Sequence, residues 1–399
     1  MTDRKRALII GGGVAGLEGA LALNALSEGR VSVAIVEPRS EFVARQYSIA
    51  EAFHASETRH ASMARLASLA GADLVPAGVT AIDPDEHVAS TGEGPLPFDL
   101  LLVAAGTSTK EAVPHALTFT GPAAEHDLTR LLDSAVQGET TRIVFAVPGG
   151  ATWLLPLYEL ALLTSANLAD RGTRAEIVLV TPEEHPLGLF GLEARRALSE
   201  LLDVRGIEVH TGVTPVTFEG GTLHVVPEAT LPADAVVALP RLEGTRIEGL
   251  RYDSAGFLPT DVHGHVDGPA RIYAAGDMTS YPIKHGGLAA QQADAAAESM
   301  AADAGASIVP TPFRPVLRGR LMTGIFDRYL VGEPGGTRSL VGTESLWWPS
   351  SKVAGRFLGP FLARHIGLQA ETPTWAASHG LPVETELHEG AAAIPGPVA

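Results

Sequence analysis

Ala7-Leu8-Ile9-Ile10-Gly11-Gly12-Gly13-Val14-Ala15-Gly16 opens the stretch of residues 7–37 that decides how the chain is read. An apolar strand enters a glycine turn, a helix begins at Val14, and a second strand over residues 31–36 stops at Glu37. This order is a βαβ unit with a dinucleotide fingerprint. Gly11 permits the tight turn, Gly13 lets the backbone approach a pyrophosphate, and Gly16, with small Ala20 one turn later, lets the helix lie close to the strand. The first helical turn, with Val14 and Ala15, would offer free N–H groups and a positive dipole end to the phosphates. Glu37, followed by Pro38 and Arg39, stands where an acid accepts a ribose diol, about 20 residues past the turn. A glycine turn that merely closes an α/β crossover is the blander alternative. The strand before, the helix after and the acid at the end favour the nucleotide.

The chain has 399 residues, enough for two or three domains. It is 45% hydrophobic and 19% charged with 43 glycines, which suits glycine-turned α/β architecture better than disorder. A net charge of −17 argues against nucleic acid as a partner, because a phosphate backbone would be repelled. Cysteine is absent, which excludes disulfides, thiolate metal sites, a redox dithiol and a cysteine nucleophile. No metal site is expected. The first strand begins too early for a signal peptide, and the apolar runs break before the roughly 20 residues of a membrane span, so a cytoplasmic protein is expected.

Further along, residues 48–53 read as a helical segment. If the nucleotide were a flavin, Arg45 and Gln46 would lie beside it; otherwise Arg39 and Arg45 would pair with Glu41 and Glu51. A helix is expected over 63–70 and strands over 73–75, 79–83 and 98–104, the last running into Ala105-Gly106-Thr107. A second strand-turn-helix-strand unit follows: residues 142–147, Pro148-Gly149-Gly150-Ala151-Thr152-Trp153, a helix over 155–168 and a strand over 176–180. Its fingerprint is damaged, since Pro148 and Trp153 occupy the first and third glycine places and Thr181 stands where a ribose-binding acid belongs. Either the nucleotide site is lost or the helix starts differently and still admits one.

After a loop over 185–190 come a helix over 193–202, strands over 208–216, 222–226 and 234–239, and a return to the first domain near 245–249. The strand 271–275 then stops at Gly276-Asp277, and Gly286-Gly287 opens an Ala-rich helix. A carboxylate at a strand end before a helix N-terminus suits ribityl hydroxyls and a flavin pyrimidine edge. Lys284 is a candidate to stabilise reduced flavin or orient a substrate, against a plain charge-neutralising role; His285 is a candidate proton exchanger, against a loop cap. Residues 311–370 are richer in arginine than the rest, and Leu346, Trp347, Trp348, Val353, Phe357, Leu358, Phe361, Leu362 and Ile366 form an aromatic, partly helical face. That face suits a membrane surface, a quinone-like site, or packing on its own domain. Residues 371–399, rich in Pro, Ala, Gly and Glu, read as a flexible tail whose start Trp375 could anchor.

Three ordered segments agree: the fingerprint from Gly11 to Glu37, the apolar strand into Ala105-Gly106, and Ala274-Ala275-Gly276-Asp277 leading to a helix. Together they resemble the FAD-dependent pyridine nucleotide-disulfide oxidoreductase superfamily, in the branch of type II NADH dehydrogenases and sulfide:quinone oxidoreductases. The resemblance covers residues 5–305. It implies two Rossmann-like dinucleotide-binding domains in an α/β chain, the second nested within the first. The parts are an FAD-binding domain over 1–120 and 246–310, a degenerate NAD-type domain over 121–245, and a cap over 311–370. It implies FAD, with pyrophosphate at Gly11, Gly13 and Gly16, ribose on Glu37, adenine near Val79, and ribityl and flavin edge at Asp277; Arg45 and Lys284 carry over less directly. Departures matter. Without cysteine the chain cannot perform sulfide or disulfide chemistry, and Ala105 replaces the usual threonine. The glutamate that the NADH branch places early in the second helix is Leu155 here, whereas Glu159 lies one turn on, on the same face, as a flavin-directed candidate or a solvated residue.

The expected activity is electron transfer from a reduced donor, NAD(P)H by family, through FAD to a quinone or other small acceptor. The alternatives are a flavin oxidase or dehydrogenase acting on an organic substrate without NAD(P)H, and a non-catalytic flavin-binding sensor or partner-binding protein. Peripheral membrane contact through 311–370 and a homodimer stay open.

Overall fold

The computed structural model describes residues 4–227, 229–268, 271–336 and 339–367. The expected tail over 371–399, with Trp375, lies outside the described residues. Two parallel five-stranded sheets form the frame. In the first, the strands run Ile272–Ala274, Leu100–Val103, Lys5–Ile10, Val31–Val36, Asp73–Val75 across the sheet. In the second the order is Leu117–Thr118, Ala235–Ala238, Arg142–Ala146, Glu176–Val180, Glu208–His210. The second sheet is nested in the first domain's sequence, as the α/β reading expects.

Alternation along each strand explains the layers. Ala7 and Ile9 face the helices Val14–Leu26 and Gly286–Asp303, while Leu8 and Ile10 face a small antiparallel sheet that contributes Ile82 and Ala89. The second sheet repeats this, with Ile143 and Phe145 against helices and Val144 and Ala146 against the antiparallel strands Thr214–Glu219, Thr222–Val226 and Ala229–Pro232. Both faces are covered, so these strands are apolar throughout, as parallel sheets require. The domains are linked by Thr107–Lys110 pairing antiparallel with Arg241–Gly244, and Ile247 re-enters the first core.

Some expectations need correction. The helical segment expected over 48–53 is a 3₁₀ turn over Arg45–Ala50, and the strand expected over 208–216 divides into Glu208–His210 and Thr214–Glu219. In the region 311–367, Leu317–Leu321, Arg328–Gly332 and Ser339–Gly342 form an antiparallel sheet, followed by one helix among the described residues, Leu358–Ile366. Several of the region's aromatic and aliphatic residues turn inward, whereas Ile325 and Phe326 are exposed. Trp347, Val353, Leu358 and Leu362 are buried, the last three against the first helix and its neighbours, so the packed alternative holds for them. The sheet sits on Phe190, where a Cβ on Gly319 would come within 2.8 Å of Phe190 Cζ.

Buried charge fastens this region. Glu18, on the first helix, accepts hydrogen bonds from the N–H groups of Phe357 and Leu358 at 2.8 and 2.6 Å, satisfying two orphan donors of the terminal helix. Gly355 lies so close that a Cβ would stand 2.6 Å from Glu18 Oε2. Asp294, on Gly286–Asp303, shares a hydrogen bond with Glu18. Nearby, Arg356 pairs with buried Glu298 at 3.1 Å. Three carboxyls thus face one guanidinium. Burial, reinforced by the Glu18 charge, raises Asp294 well above the usual carboxylate range, and burial raises Glu18. A raised folded-state pKa gives stabilisation that is complete at low pH and lost as pH rises through that raised value. Hydrogen exchange at the Phe357 and Leu358 amides, corrected for intrinsic rates, should therefore accelerate from mildly acid to alkaline pH, and D294N should flatten the dependence. An unchanged pH profile in D294N would remove the shared proton from the account.

Candidate active site

The turn after the first strand is shaped by close approach. Gly11 has φ +102°, and a Cβ there would fall 2.4 Å from the Ala104 carbonyl oxygen. A Cβ on Gly16 would fall 1.8 Å from the Gly11 carbonyl oxygen, so the helix could not seat with any other residue. At Gly13 the case is reversed, because nothing lies within 4 Å of where its Cβ would point. Gly13 is also the N-cap of the first helix and brings no side-chain cap, which leaves the first N–H groups available. Two glycines build the turn and the third opens it.

That opening is one end of a cavity of about 210 Å³. Gly13, Val14 and Ala15 line it together with Arg39, Arg45, Ala105, Gly106, Gly276 and Asp277. Gln46, Thr107, Gly286 and Ala289 also line it, as do Glu41, Ala104 and Ala275, with Phe42 and Val43 as wall residues that carried no signal in the sequence. Gly11 and Gly16 lie beneath it. Glu37 is buried at the strand tip, accepting from the Gly12 N–H at 2.8 Å and from Arg39 Nε and Nη2 at 2.8 and 2.9 Å. Burial works to raise its pKa, but the Arg39 bonds and the Gly12 and Arg39 N–H groups outweigh it and hold the carboxyl below its usual range. Arg39 therefore pairs with Glu37; Glu41 contacts His60 and Glu51 takes the Thr58 hydroxyl, which leaves Arg45 without the expected partner. Val79 belongs to the small antiparallel sheet, and neither it nor Pro38 is among the cavity's lining residues.

A second cavity, of about 430 Å³, meets the first at Arg45. Its walls include Gly150, Trp153 and Pro156 from the damaged fingerprint, with Phe119, Phe257 and Lys284. The helix after Gly150 begins only at Leu155, with a proline in its first turn, so the fingerprint glycine and the helix N-terminus are separated. Trp153 fills the gap, its ring 4.2 Å from that of His285 and 5.7 Å from that of Phe190. Glu183, the acid nearest the ribose position, is turned inward and receives the Tyr158 hydroxyl at 2.5 Å.

Lys284 donates to the carbonyls of Thr279 and Tyr281 at 2.5 and 2.9 Å and lies 3.8 Å from the Phe257 ring centroid. Burial pushes its pKa down to about 8, with Asp277 and Asp253 opposing. Burial raises Asp277, with Lys284 opposing. Glu159 does not line either cavity. It is fully buried, paired with Lys352 Nζ at 2.6 and 2.7 Å, and accepts the Met322 N–H at 2.9 Å. The partner, 193 residues away, has no sequence signal.

Two Rossmann-like domains, a phosphate-ready helix and a long cavity reaching a second helix N-terminus define a dinucleotide-dependent oxidoreductase. The chain belongs to the pyridine nucleotide-disulphide oxidoreductase family, whose model matches residues 5–298. An NADH dehydrogenase-like protein of Mycobacterium tuberculosis is 27% identical over 296 residues, covering 69% of this chain and 73% of that protein. The demethylphylloquinone reductase of Synechocystis is 28% identical over 303 residues, covering 69% and 72%. Among solved structures, the sulfide:quinone oxidoreductase of Aquifex aeolicus has a similar fold, with TM-score 0.76, 18% identity, and coverage of 85% of this chain and 86% of that one. Membership makes the protein an FAD-dependent oxidoreductase, and the open cradle at Gly13 fits that cofactor. No helix among the described residues is long and apolar enough to cross a membrane.

Two expected outcomes separate architecture from binding. G16A should lose several kcal/mol of stability or fail to fold, because backbone must move, while G13V should leave the apoprotein's melting temperature near wild type and lower its flavin-to-protein absorbance ratio. Equal loss of stability in both would contradict the division. E159A should cost about 3–5 kcal/mol by stranding Lys352, and the double variant E159L/K352M should recover most of it in urea unfolding.

Proposed function

We propose that this FAD-dependent oxidoreductase takes electrons from a small organic donor in the larger cavity and passes them to a quinone or other small acceptor. Its second dinucleotide-type domain then shapes the donor cavity instead of holding NAD(P)H. The observation that carries this reading is the filled second fingerprint: the helix begins at Leu155, Trp153 occupies the gap, and Glu183 is taken by Tyr158.

In this reading Gly11, Gly13, Val14, Ala15 and Gly16 hold the FAD pyrophosphate, and Glu37, fixed by Arg39 next to Pro38, takes the ribose. Val79 stands toward the adenine end. Ala105, Gly106, Gly276 and Asp277 would line the path to the flavin, with Gly286 at the first turn of the following helix. When bound, FAD supplies the two-electron chemistry. Arg45, at the junction of the cavities, is placed to orient a negatively charged or carbonyl group. Lys284 offers an ammonium that gives up its proton near pH 8 and can hold or exchange a proton with a donor hydroxyl. Above that pH the charge is lost, so donor binding that depends on it weakens as pH rises. Glu159 acts indirectly, by holding Lys352 and the cap against the second domain.

The names of the Mycobacterium and Synechocystis relatives support a second reading, in which NADH or NADPH reduces the flavin and a quinone accepts. For a cytoplasmic protein, peripheral membrane contact would fall to the hairpin tip Ile325-Phe326, 66% and 72% exposed, with Arg205 and Arg328 bonded to its carbonyl groups and those of Thr323. The deciding experiment is an anaerobic titration of the purified flavoprotein with NADH and then NADPH, followed at the flavin band near about 450 nm. Reduction by dithionite with no bleaching by either nucleotide is expected. Rapid bleaching by one of them would establish the second reading in place of the first.

A further inference from the structure

Two cations of the cap that face the other domains are neutralised: Arg320 pairs with Asp327 at 2.7 Å and Lys352 with Glu159 at 2.6 Å. Arg318 is different. Two residues before Arg320 on the same strand, it is only 8% exposed and makes no side-chain hydrogen bond or ion pair among the described residues. A cation so buried, without a counter-charge among the described residues, is unfavourable, and a negative group beside it would relieve that cost.

The surroundings locate that group. The strand is pinned at Val316, whose N–H and C=O bond the Gln291 side chain at 2.9 Å each, and Gln291 also bonds the Gly287 carbonyl. Arg318 is thereby held beside the first turn of Gly286–Asp303. His285 is the N-cap of that helix, and its ring lies over the turn, since a Cβ on Gly287 would come 2.8 Å from its Cε1. The imidazole is 7% exposed and its Nδ1 has no partner. Burial, then the charges of Arg318 and Lys352, push its pKa down to about 3, so the ring is neutral and transmits polarity without adding charge. The same turn lines the smaller cavity through Gly286 and Ala289. Lys284, the cation the sequence suggested for this task, is occupied by the Thr279 and Tyr281 carbonyls.

We propose that Arg318 is a positioning charge that acts through neutral His285 and the helix N-terminus to stabilise the negative charge of reduced FAD. The inference rests on the FAD placement proposed above. Uptake of two electrons and one proton leaves the cofactor with one added negative charge, whereas a second proton neutralises it. With Arg318 in place, the singly protonated reduced form persists to the acid side of neutrality and the midpoint potential is raised.

The test is a reductive titration of the FAD-loaded protein against a reference dye at several pH values. Wild type should take up one proton per two electrons through neutral and mildly acid pH. R318Q should lower the equilibrium constant for reduction about tenfold or more, about 30 mV for a two-electron couple. It should also shift uptake of the second proton to higher pH, and R318K should restore most of both. Two protons per two electrons in wild type across that range would overturn the proposal without any variant. So would R318Q within about twofold of wild type, or a folded R318K that behaves as R318Q. A potential unmoved by R318Q alongside lost binding of acidic donors would also overturn it and assign Arg318 to the donor. A protein without flavin absorbance would instead refute the FAD placement itself.

Discussion

The contact between Gly16 and the Gly11 carbonyl oxygen sets how near the first helix comes to the first strand, and the rest of the site is built on that distance. Where a Cβ would stand 1.8 Å from a backbone oxygen, no rotamer can relieve the clash. The helix therefore lies low on the sheet, its N-terminal N–H groups reach the strand tips, and Gly13 faces open space. The helix Gly286–Asp303 packs beside it, so two helix N-termini converge on one cavity from neighbouring positions of a single sheet. Helix depth, and with it the exposure of the helix N-terminus, follows from one steric limit.

The two halves show how one architecture diverges. Both sheets have helices on one face and three antiparallel strands on the other. In the first half the glycine turn leads directly into its helix. In the second, five residues intervene between Gly149 and Leu155, and Trp153 fills the interval. The fold survives because the sheet faces are still covered, by Phe145 and Ile143 on one side and Val144 and Ala146 on the other. The interval itself is what differs between the two copies, with the Trp153 ring lying in it. A fold tolerates this change because its stability resides in the layers and its ligand chemistry in a few turns.

Much of this was legible from the residues. The turn from Gly11 to Gly16, the acid at Glu37 and the Gly276-Asp277 strand end carry local signatures, because tight turns and helix N-termini constrain residue type at fixed spacing. Pro148 and Trp153 were equally readable as a damaged copy. The cap was not. Its inward-facing residues alternate with arginines, a pattern that a surface face and a buried sheet share, and only the position of Phe190 and the first helix decides between them. The pairs Glu159 with Lys352 and Glu18 with the Leu358 amide join residues 193 and 340 positions apart, and such separations leave no periodic trace. Arg318 likewise looks ordinary until it is seen to have no counter-charge among the described residues.

The distant fastening has a consequence for how the molecule is made. Glu18 and Glu159 are synthesised long before the groups that neutralise or cap them, so both wait as carboxyls at sites that become dry only when residues 316–362 arrive. Until then, water must reach them, and the helices Val14–Leu26 and Leu155–Asp170 keep one side wet. Closure of the two halves therefore waits for residues 316–362. Without residues 352–358 the carboxyls of Glu159 and Glu18 would lose the ammonium and the amides that bond them.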